Sequence, residues 1–122
     1  MNQEEVLFFD GFPNALAAYA VLRELIMTRY PGTTVSVKKM QIGFGRPLLF
    51  AIAWLPRRKK DGDALKLSFC LPGKVVNERI WMQVEPYPGR FMHHMFIRSV
   101  QELDAEVIAW LDAAAEFAGR KR

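Results

Sequence analysis

The uncharged stretch at residues 48–55 constrains the fold of this 122-residue chain more than any other feature. It is too short to cross a membrane as a helix and too apolar for an exposed edge strand. We therefore predict that it is the central strand of a sheet, with side chains that alternate between two faces. One face is bulky and the other mainly small. The bulky face has Leu48, Phe50, Ile52 and Trp54, and the other has Leu49, Ala51, Ala53 and Leu55.

Two helices are predicted, one before and one after this strand. Pro13 suits the first position of a helix, apolar residues then recur at helical spacing, and Pro31 ends the helix. A capping-box pattern at Ser99 and Glu102 predicts the start of a last helix, and Gly119 suits its end. Aromatic residues near the N-terminus predict that this segment folds back onto the core. They are Phe8, Phe9 and Phe12.

Further strands are predicted from alternation of apolar and polar residues. Residues 65–71 form a hairpin with the central strand, residues 91–97 form another strand, and residues 80–85 form a short irregular one. Before the central strand, the apolar phase shifts at Lys38 and Lys39, which predicts a bulge or bend. The pattern therefore predicts an α+β fold: a curved antiparallel sheet of four to five strands with an N-terminal and a C-terminal helix.

The composition is that of a globular domain, with 51% hydrophobic and 25% charged residues. The length fits a single domain over residues 1–122. The single cysteine, Cys70, excludes an internal disulfide framework and a Cys-rich zinc module, and it favours a reducing cytoplasm. No apolar run opens the chain, so we expect neither a signal peptide nor a membrane anchor. The net charge of +4 permits an acidic partner without requiring one.

Several segments together resemble an uncharacterised bacterial domain family of unknown function. The most specific are KMQIGF at residues 39–44, PYPGR at residues 86–90 with His93 and His94, and the ELD sequence that begins at Glu102. The family is related to the YdhG-like and MmcQ/YjbR-like proteins, some of which are similar to frataxin. The resemblance covers nearly the whole chain and implies a small cytoplasmic α+β domain without an established activity. Relatives in the wider group are linked to iron delivery or to DNA binding.

Neither a metal site nor a catalytic site is predicted. Frataxin-like proteins hold iron on an acidic first helix, whereas Glu24 is the single acid in the first helix predicted here, so we expect no tight iron binding. His93 and His94 are adjacent on a strand, so their side chains point to opposite faces and cannot share one metal ion. We expect one to be packed and the other solvated. Cys70 lacks a basic neighbour and is expected to be inert. We predict no cofactor and no enzymatic activity.

The favoured function is a binding or interaction module that uses one face of the sheet. The partner would be a small molecule, a peptide or protein, or a second copy of the chain in a homodimer. The face would be the one with small side chains, which we expect Ala51 and Ala53 to share with Ser68 and Cys70. The ligand-binding candidates are Lys38, Lys39, Gln41, Trp54, Arg90, His93 and His94.

The alternative function is weak nucleic-acid binding through a basic loop and the basic residues 120–122. The loop candidates are Arg57, Arg58, Lys59 and Lys60. No aromatic residues are interleaved with these cations, and no nucleic-acid recognition motif accompanies them, which favours the first function.

Overall fold

The computed structural model describes residues 1–120 and has an α+β fold with helices at both ends of a curved antiparallel sheet. The predicted class and the terminal helices are confirmed, and the described residues form six strands, slightly more than predicted. No helix within residues 1–120 is long and apolar enough to cross a membrane. The elements are α1 (Gln3–Phe8), α2 (Pro13–Arg29), β1 (Thr34–Val37), β2 (Gln41–Gly45), β3 (Leu49–Trp54), β4 (Leu65–Leu71), β5 (Met82–Tyr87), β6 (Arg90–Ile97) and α3 (Ala105–Arg120).

The strand order in the sheet is β1-β2-β3-β4-β6-β5, and all neighbours are antiparallel. The phase shift at Lys38 and Lys39 is a complete chain reversal between β1 and β2. The Lys38 amide closes this hairpin by donating to the Gln41 carbonyl at 2.8 Å. Both a bulge and a tight hairpin shift the alternation of apolar and polar residues, so this alternation alone does not distinguish between them.

The small residues of β3 lie under the helices, so the predicted grouping of side chains by face is wrong. Ala51 pairs with Phe69 and Ala53 pairs with Leu67, and all four are fully buried in the core. The side chains of Ser68 and Cys70 alternate with these and point to the opposite face. Alanine is favoured under α3 because a small side chain allows the helix to approach the sheet closely.

A β-bulge at Phe50 explains the rest of the discrepancy. Gly45 pairs with Leu49 while Phe44 pairs with Ala51, so β3 has one extra residue at this point. Phe50 therefore packs with the helices, where its ring meets Tyr30 at 5.7 Å between centroids. Leu49 is turned to the other face and covers Gly43, at which an added Cβ would lie 2.6 Å from the Leu49 Cδ1 atom.

The N-terminal segment folds back onto the core as predicted, and it contains a short helix that was not predicted. Phe9 is buried, and its ring packs on Tyr19 of α2. Glu5 is also buried, accepts a hydrogen bond from the Asn2 amide, and is bound by Tyr19 and by Arg23 at 2.6 Å. Burial by itself would raise the pKa of Glu5, but these hydrogen bonds lower it overall.

The last helix begins later than the capping box at Ser99 and Glu102 predicted. Ser99 precedes a 3-10 turn that ends at Glu102, and Asp104 instead caps α3 by accepting from the Val107 amide at 3.2 Å. Asp104 also pairs with Arg79 at 3.0 Å, which attaches the segment between β4 and β5 to the start of α3. A sequence pattern shows that a turn carries capping residues, but tertiary contacts decide where the first full helical turn forms.

Candidate functional site

The candidate site is on the sheet face opposite α2 and α3, which we call the open face. Its centre is formed by side chains that alternate with the buried core residues of β3, β4 and β6. Cross-strand pairing places Trp54 beside Lys66, Ser68 beside His94, and Cys70 beside Met92. Met82 and Val84 extend the face onto β5, where both are exposed. The open face thus combines aromatic, sulfur-containing and cationic side chains.

A chain of hydrogen bonds crosses the middle of the open face. The Trp54 Nε1–H group donates to the Ser68 hydroxyl at 2.8 Å, and the Ser68 Oγ atom lies 2.5 Å from His94 Nδ1. Because an indole can only donate, the Ser68 oxygen accepts from Trp54, and a second hydrogen bond links the Ser68 hydroxyl to the ring of His94. Ser68 is fully buried, so this chain orders the side chains beneath the surface.

His94 is neutral at pH 7 because of its surroundings. Burial, with the nearby charge of Lys66 and the neighbouring His93, lowers the pKa of His94 to about 4. The ring also packs against Trp81, with 5.9 Å between centroids. His94 therefore fixes one wall of the open face and adds no charge to it.

Lys66 is the central cation of the open face. Its Nζ atom lies 4.7 Å from the ring centroid of Trp54 and 5.5 Å from that of Trp81. Among residues 1–120, no carboxylate forms an ion pair with Lys66. Partial burial, with the like charge of Arg57, lowers the pKa of Lys66, although Asp61 opposes the shift. The ammonium group is thus held by two aromatic rings in place of a counterion.

Two adjoining clefts, which share Lys66 and Arg57, open beside this cation; together we call them the tryptophan clefts. One has a volume of about 480 Å³ and the other about 290 Å³. The first is lined by Phe8, Phe12, Lys39, Met40, Trp54, Leu55, Pro56, Arg57 and Lys66. The second is lined by Arg57, Arg58, Asp61, Lys66, Trp81, Met82 and Phe96. Both linings are aromatic and cationic, and their one carboxylate, Asp61, pairs with Arg58 at 3.5 Å.

The structure brings some of the predicted ligand-binding residues together at these clefts. Trp54 and Lys39 line the first cleft, and Gln41 pairs with Trp54 across β2 and β3. His94 lies beneath the same region through its link to Ser68. Lys38 is exposed in the β1–β2 hairpin and lines neither cleft, so the structure does not place it at the site.

The two adjacent histidines point to opposite faces, as predicted. His93 stacks on Phe69 on the helix side, with 5.4 Å between centroids, and accepts from the Val75 amide at 2.9 Å. Both histidines are buried, so the expectation that one would be solvated is wrong. The segment after β4 covers His93 through Val75, and the alternation of residues along β6 does not predict such a long-range contact. Within residues 1–120 no group of three or more His, Cys, Asp or Glu side chains has the arrangement of a metal site.

The basic loop and the basic C-terminus are far apart. Arg57 and Arg58 line the tryptophan clefts near Phe96, whereas Arg120 lies over Phe117 beside Arg90, at the other end of β6. At about 3.3 Å per residue, the two ends of that strand are about 20 Å apart. Within residues 1–120, the basic loop and the basic end of α3 therefore do not form one surface, contrary to the prediction. Lys121 and Arg122 lie outside the described residues.

Sequence reasoning missed Lys66 and Trp81 as site residues. Lys66 was one of the polar positions in the alternation of β4, and its significance comes from the register that places it beside Trp54. Trp81 precedes β5, and its amide donates to the His94 carbonyl at 3.1 Å. A hairpin register predicted from the turn would have found the first residue. Trp81 reaches the site because the chain passes from β4 to β5 across β6, which lies between them in the sheet.

Comparison with known proteins identifies a family. The family DUF5655, a domain of unknown function, matches residues 7–118. No curated protein and no solved structure matches the sequence. The expected relation to a domain family of unknown function is confirmed, whereas the relation to the YdhG-like and MmcQ/YjbR-like proteins is not confirmed by this match and stays a prediction.

Proposed function

Since the chain belongs to the DUF5655 family, whose domain has no known function, we propose a function from the geometry of the open face. The protein is a non-enzymatic binding module that holds an anionic ligand with a planar apolar body in the tryptophan clefts. The observation that carries this proposal is Lys66, which lies between Trp54 and Trp81 without a carboxylate partner among residues 1–120. We keep the cytoplasm as the proposed compartment, because the chain has a single cysteine.

The physical basis is complementarity of charge and shape. The cationic form of Lys66 is disfavoured by burial and by Arg57 and is only partly supported by Asp61, so an anion placed beside it adds favourable interaction energy. Aromatic walls favour a planar ligand, since stacking adds to the burial of apolar area. Trp81 is 42% exposed, so its ring remains accessible. The cations at the rim also attract an approaching anion.

The buried hydrogen-bond chain supports binding over catalysis. Ser68 has a histidine neighbour, as a nucleophilic serine would, but its hydroxyl is fully buried and already binds Trp54 and His94. A nucleophile needs access to the substrate and a base that is itself oriented by a third group. His94 has no carboxylate partner within residues 1–120. We therefore propose that this chain shapes the clefts and performs no reaction.

The test is a titration monitored by tryptophan fluorescence with three related probes. Phenyl phosphate has both a ring and a charge, benzyl alcohol has the ring alone, and inorganic phosphate has the charge alone. We expect phenyl phosphate to bind at least about tenfold more tightly than either of the others. Lys66→Gln should abolish this preference, whereas Lys74→Gln, an exposed lysine outside the clefts, should keep it. Equal binding of benzyl alcohol and phenyl phosphate would refute the proposal.

Single-stranded nucleic acid is the second candidate ligand. One observation favours it: Arg57 and Arg58 line the same cleft as Trp81 and Phe96. The sequence showed no aromatic residues among the loop cations, but the fold supplies them from β6 and from the segment before β5. Aromatic platforms beside cations are the common means of binding single strands without sequence preference.

A further inference from the structure

A separate cleft of about 430 Å³ lies at the opposite end of the open face from the tryptophan clefts. We propose that it is a second binding site, specific for a carboxylate with a short apolar tail. Arg90 would hold the carboxylate. The lining is formed by Leu48, Leu49, Cys70, Pro86, Tyr87, Arg90 and Met92, and it shares no residue with the tryptophan clefts.

The charge of Arg90 is available to a ligand. No carboxylate within residues 1–120 forms an ion pair with Arg90. One guanidinium nitrogen lies 3.4 Å from the Leu49 carbonyl, which is long for a hydrogen bond, and the group lies 5.6 Å from the ring centroid of Phe117. A guanidinium has five N–H donors in a planar fork, so most remain for an incoming carboxylate.

Neighbouring groups do not compete for Arg90. Cys70 in the same cleft is buried, and burial raises the pKa of its thiol in spite of the charge of Arg90, so the sulfur stays neutral at pH 7. Glu85, an acid of the same hairpin, is bound by the Gly89 amide at 3.0 Å. The site is therefore a single positive charge in an otherwise uncharged lining.

The lining selects the rest of the ligand. Leu48, Leu49 and Met92 present flexible apolar side chains that adapt to an aliphatic tail. One guanidinium neutralises one negative charge and matches both oxygens of a carboxylate, whereas a phosphate dianion would leave charge uncompensated against apolar walls. The combination of one fork and an apolar cleft thus favours a monocarboxylate with a tail.

The experiment is a titration of the full chain with octanoate, monitored by the NMR shift of the Met92 methyl group and by calorimetry. Octanol lacks the charge and acetate lacks the tail. We expect octanoate to bind at least about tenfold more tightly than either, with the largest shifts at Met92. Arg90→Gln should lower the octanoate affinity at least about tenfold, and Arg90→Lys should lower it less, because lysine keeps the charge without the fork.

Two control variants make the outcome specific. Arg120→Gln removes the same charge from the other cation that lies over Phe117, and Lys66→Gln disables the tryptophan clefts. Both should bind octanoate as the unmodified protein does. If Arg90→Gln proves unstable on heating, Tyr87→Glu serves instead, since Tyr87 is exposed, pairs with Arg90 across the strands, and would bring a competing carboxylate. Octanol binding as tightly as octanoate, or unchanged octanoate binding in Arg90→Gln or Tyr87→Glu, would overturn the inference.

Discussion

His93 and His94 differ in environment although they are neighbours in the chain. His93 accepts from the Val75 amide through Nε2, and its Nδ1 atom lies 3.1 Å from the Phe91 carbonyl, so the ring is neutral with both nitrogens bonded. On the other face, His94 Nδ1 shares a hydrogen bond with the Ser68 hydroxyl. Burial lowers the pKa of both rings. Each histidine therefore acts as a neutral hydrogen-bonding group that positions a neighbouring segment.

The first prediction at the residue scale concerns stability in mild acid. The pKa of His94 is about 4 in the folded protein and about 6.5 in the unfolded chain. Between these values the unfolded chain binds more protons, so the free energy of unfolding falls as the pH decreases from 6.5 towards 4. The contribution of neutral His94 to the free energy of unfolding is fully present above pH 6.5 and amounts to up to about 3 kcal/mol.

Urea unfolding at a series of pH values measures this effect. In His94→Gln the dependence on pH in this window should be weaker, and in the double variant with His93→Gln it should nearly vanish. Glu5, Asp104 and Asp112 have lowered pKa values, so their contributions begin to disappear as the pH falls through the ordinary values of 4.5 and 3.8, and the dependence between pH 6.5 and about 5 belongs mainly to the histidines. The same dependence on pH in all three proteins would contradict the assignment.

At the scale of elements, β3 separates two environments. The bulge at Phe50 turns Phe50, Ala51 and Ala53 towards α2 and α3, and Leu49, Ile52 and Trp54 towards the open face. α3 packs against both β3 and β4, so the small side chains of β3 lie in a packed core beneath a helix and do not line an open groove. The proposed sites lie on the opposite side of the same strand.

Ala53→Phe tests this arrangement. A phenyl ring at this fully buried position must displace α3 or the neighbouring strands, and we expect it to lower the free energy of unfolding by at least about 1–3 kcal/mol. Val84→Phe, on the exposed side of β5, adds a ring to the open face and should change stability by less than about 0.5 kcal/mol. Chemical unfolding of the two variants distinguishes them. Comparable stability of both would show that the face of Ala53 is not packed.

At the scale of the whole molecule, the acidic side chains of the last helix are paired and the cations of the basic loop are largely free of such partners. Asp104 and Glu106 bind Arg79, and Asp112 binds Arg29. In the loop, Arg58 pairs with Asp61, while Arg57, Lys59 and Lys60 form no ion pair with residues 1–120. Positive charge is thus concentrated beside the tryptophan clefts.

This charge distribution predicts weak and salt-dependent binding of single strands. If the four loop cations each neutralise one phosphate, the logarithm of affinity falls against that of salt with a slope of about −2.8, from about −0.7 per phosphate. The dissociation constant at physiological salt should lie at roughly 10⁻⁴–10⁻⁶ M. Fluorescence anisotropy of a labelled oligothymidylate at two salt concentrations measures both quantities.

The matched variants separate the loop from the end of α3. Replacement of Arg57, Arg58, Lys59 and Lys60 by serine should abolish the binding, whereas Arg120→Ser should leave it unchanged, because Arg120 is at the far end of β6. Loss of binding in Arg120→Ser alone would contradict the assigned surface. Sub-micromolar binding with a sequence preference would contradict the expected weakness, and absence of binding would remove nucleic acid as a candidate.

The sequence by itself determined the α+β class, the position of α2, the packing of Phe9 and the opposed directions of His93 and His94. These follow from periodicity, from proline and glycine signals and from the geometry of a strand, all of which act between residues close in the chain. Only the tertiary structure decided which face of β3 lies under the helices, because the bulge at Phe50 and the packing of α3 depend on distant residues. The same holds for the clefts: Trp54, Lys66 and Trp81 meet through strand pairing and the crossing from β4 to β5, and such contacts leave no local pattern.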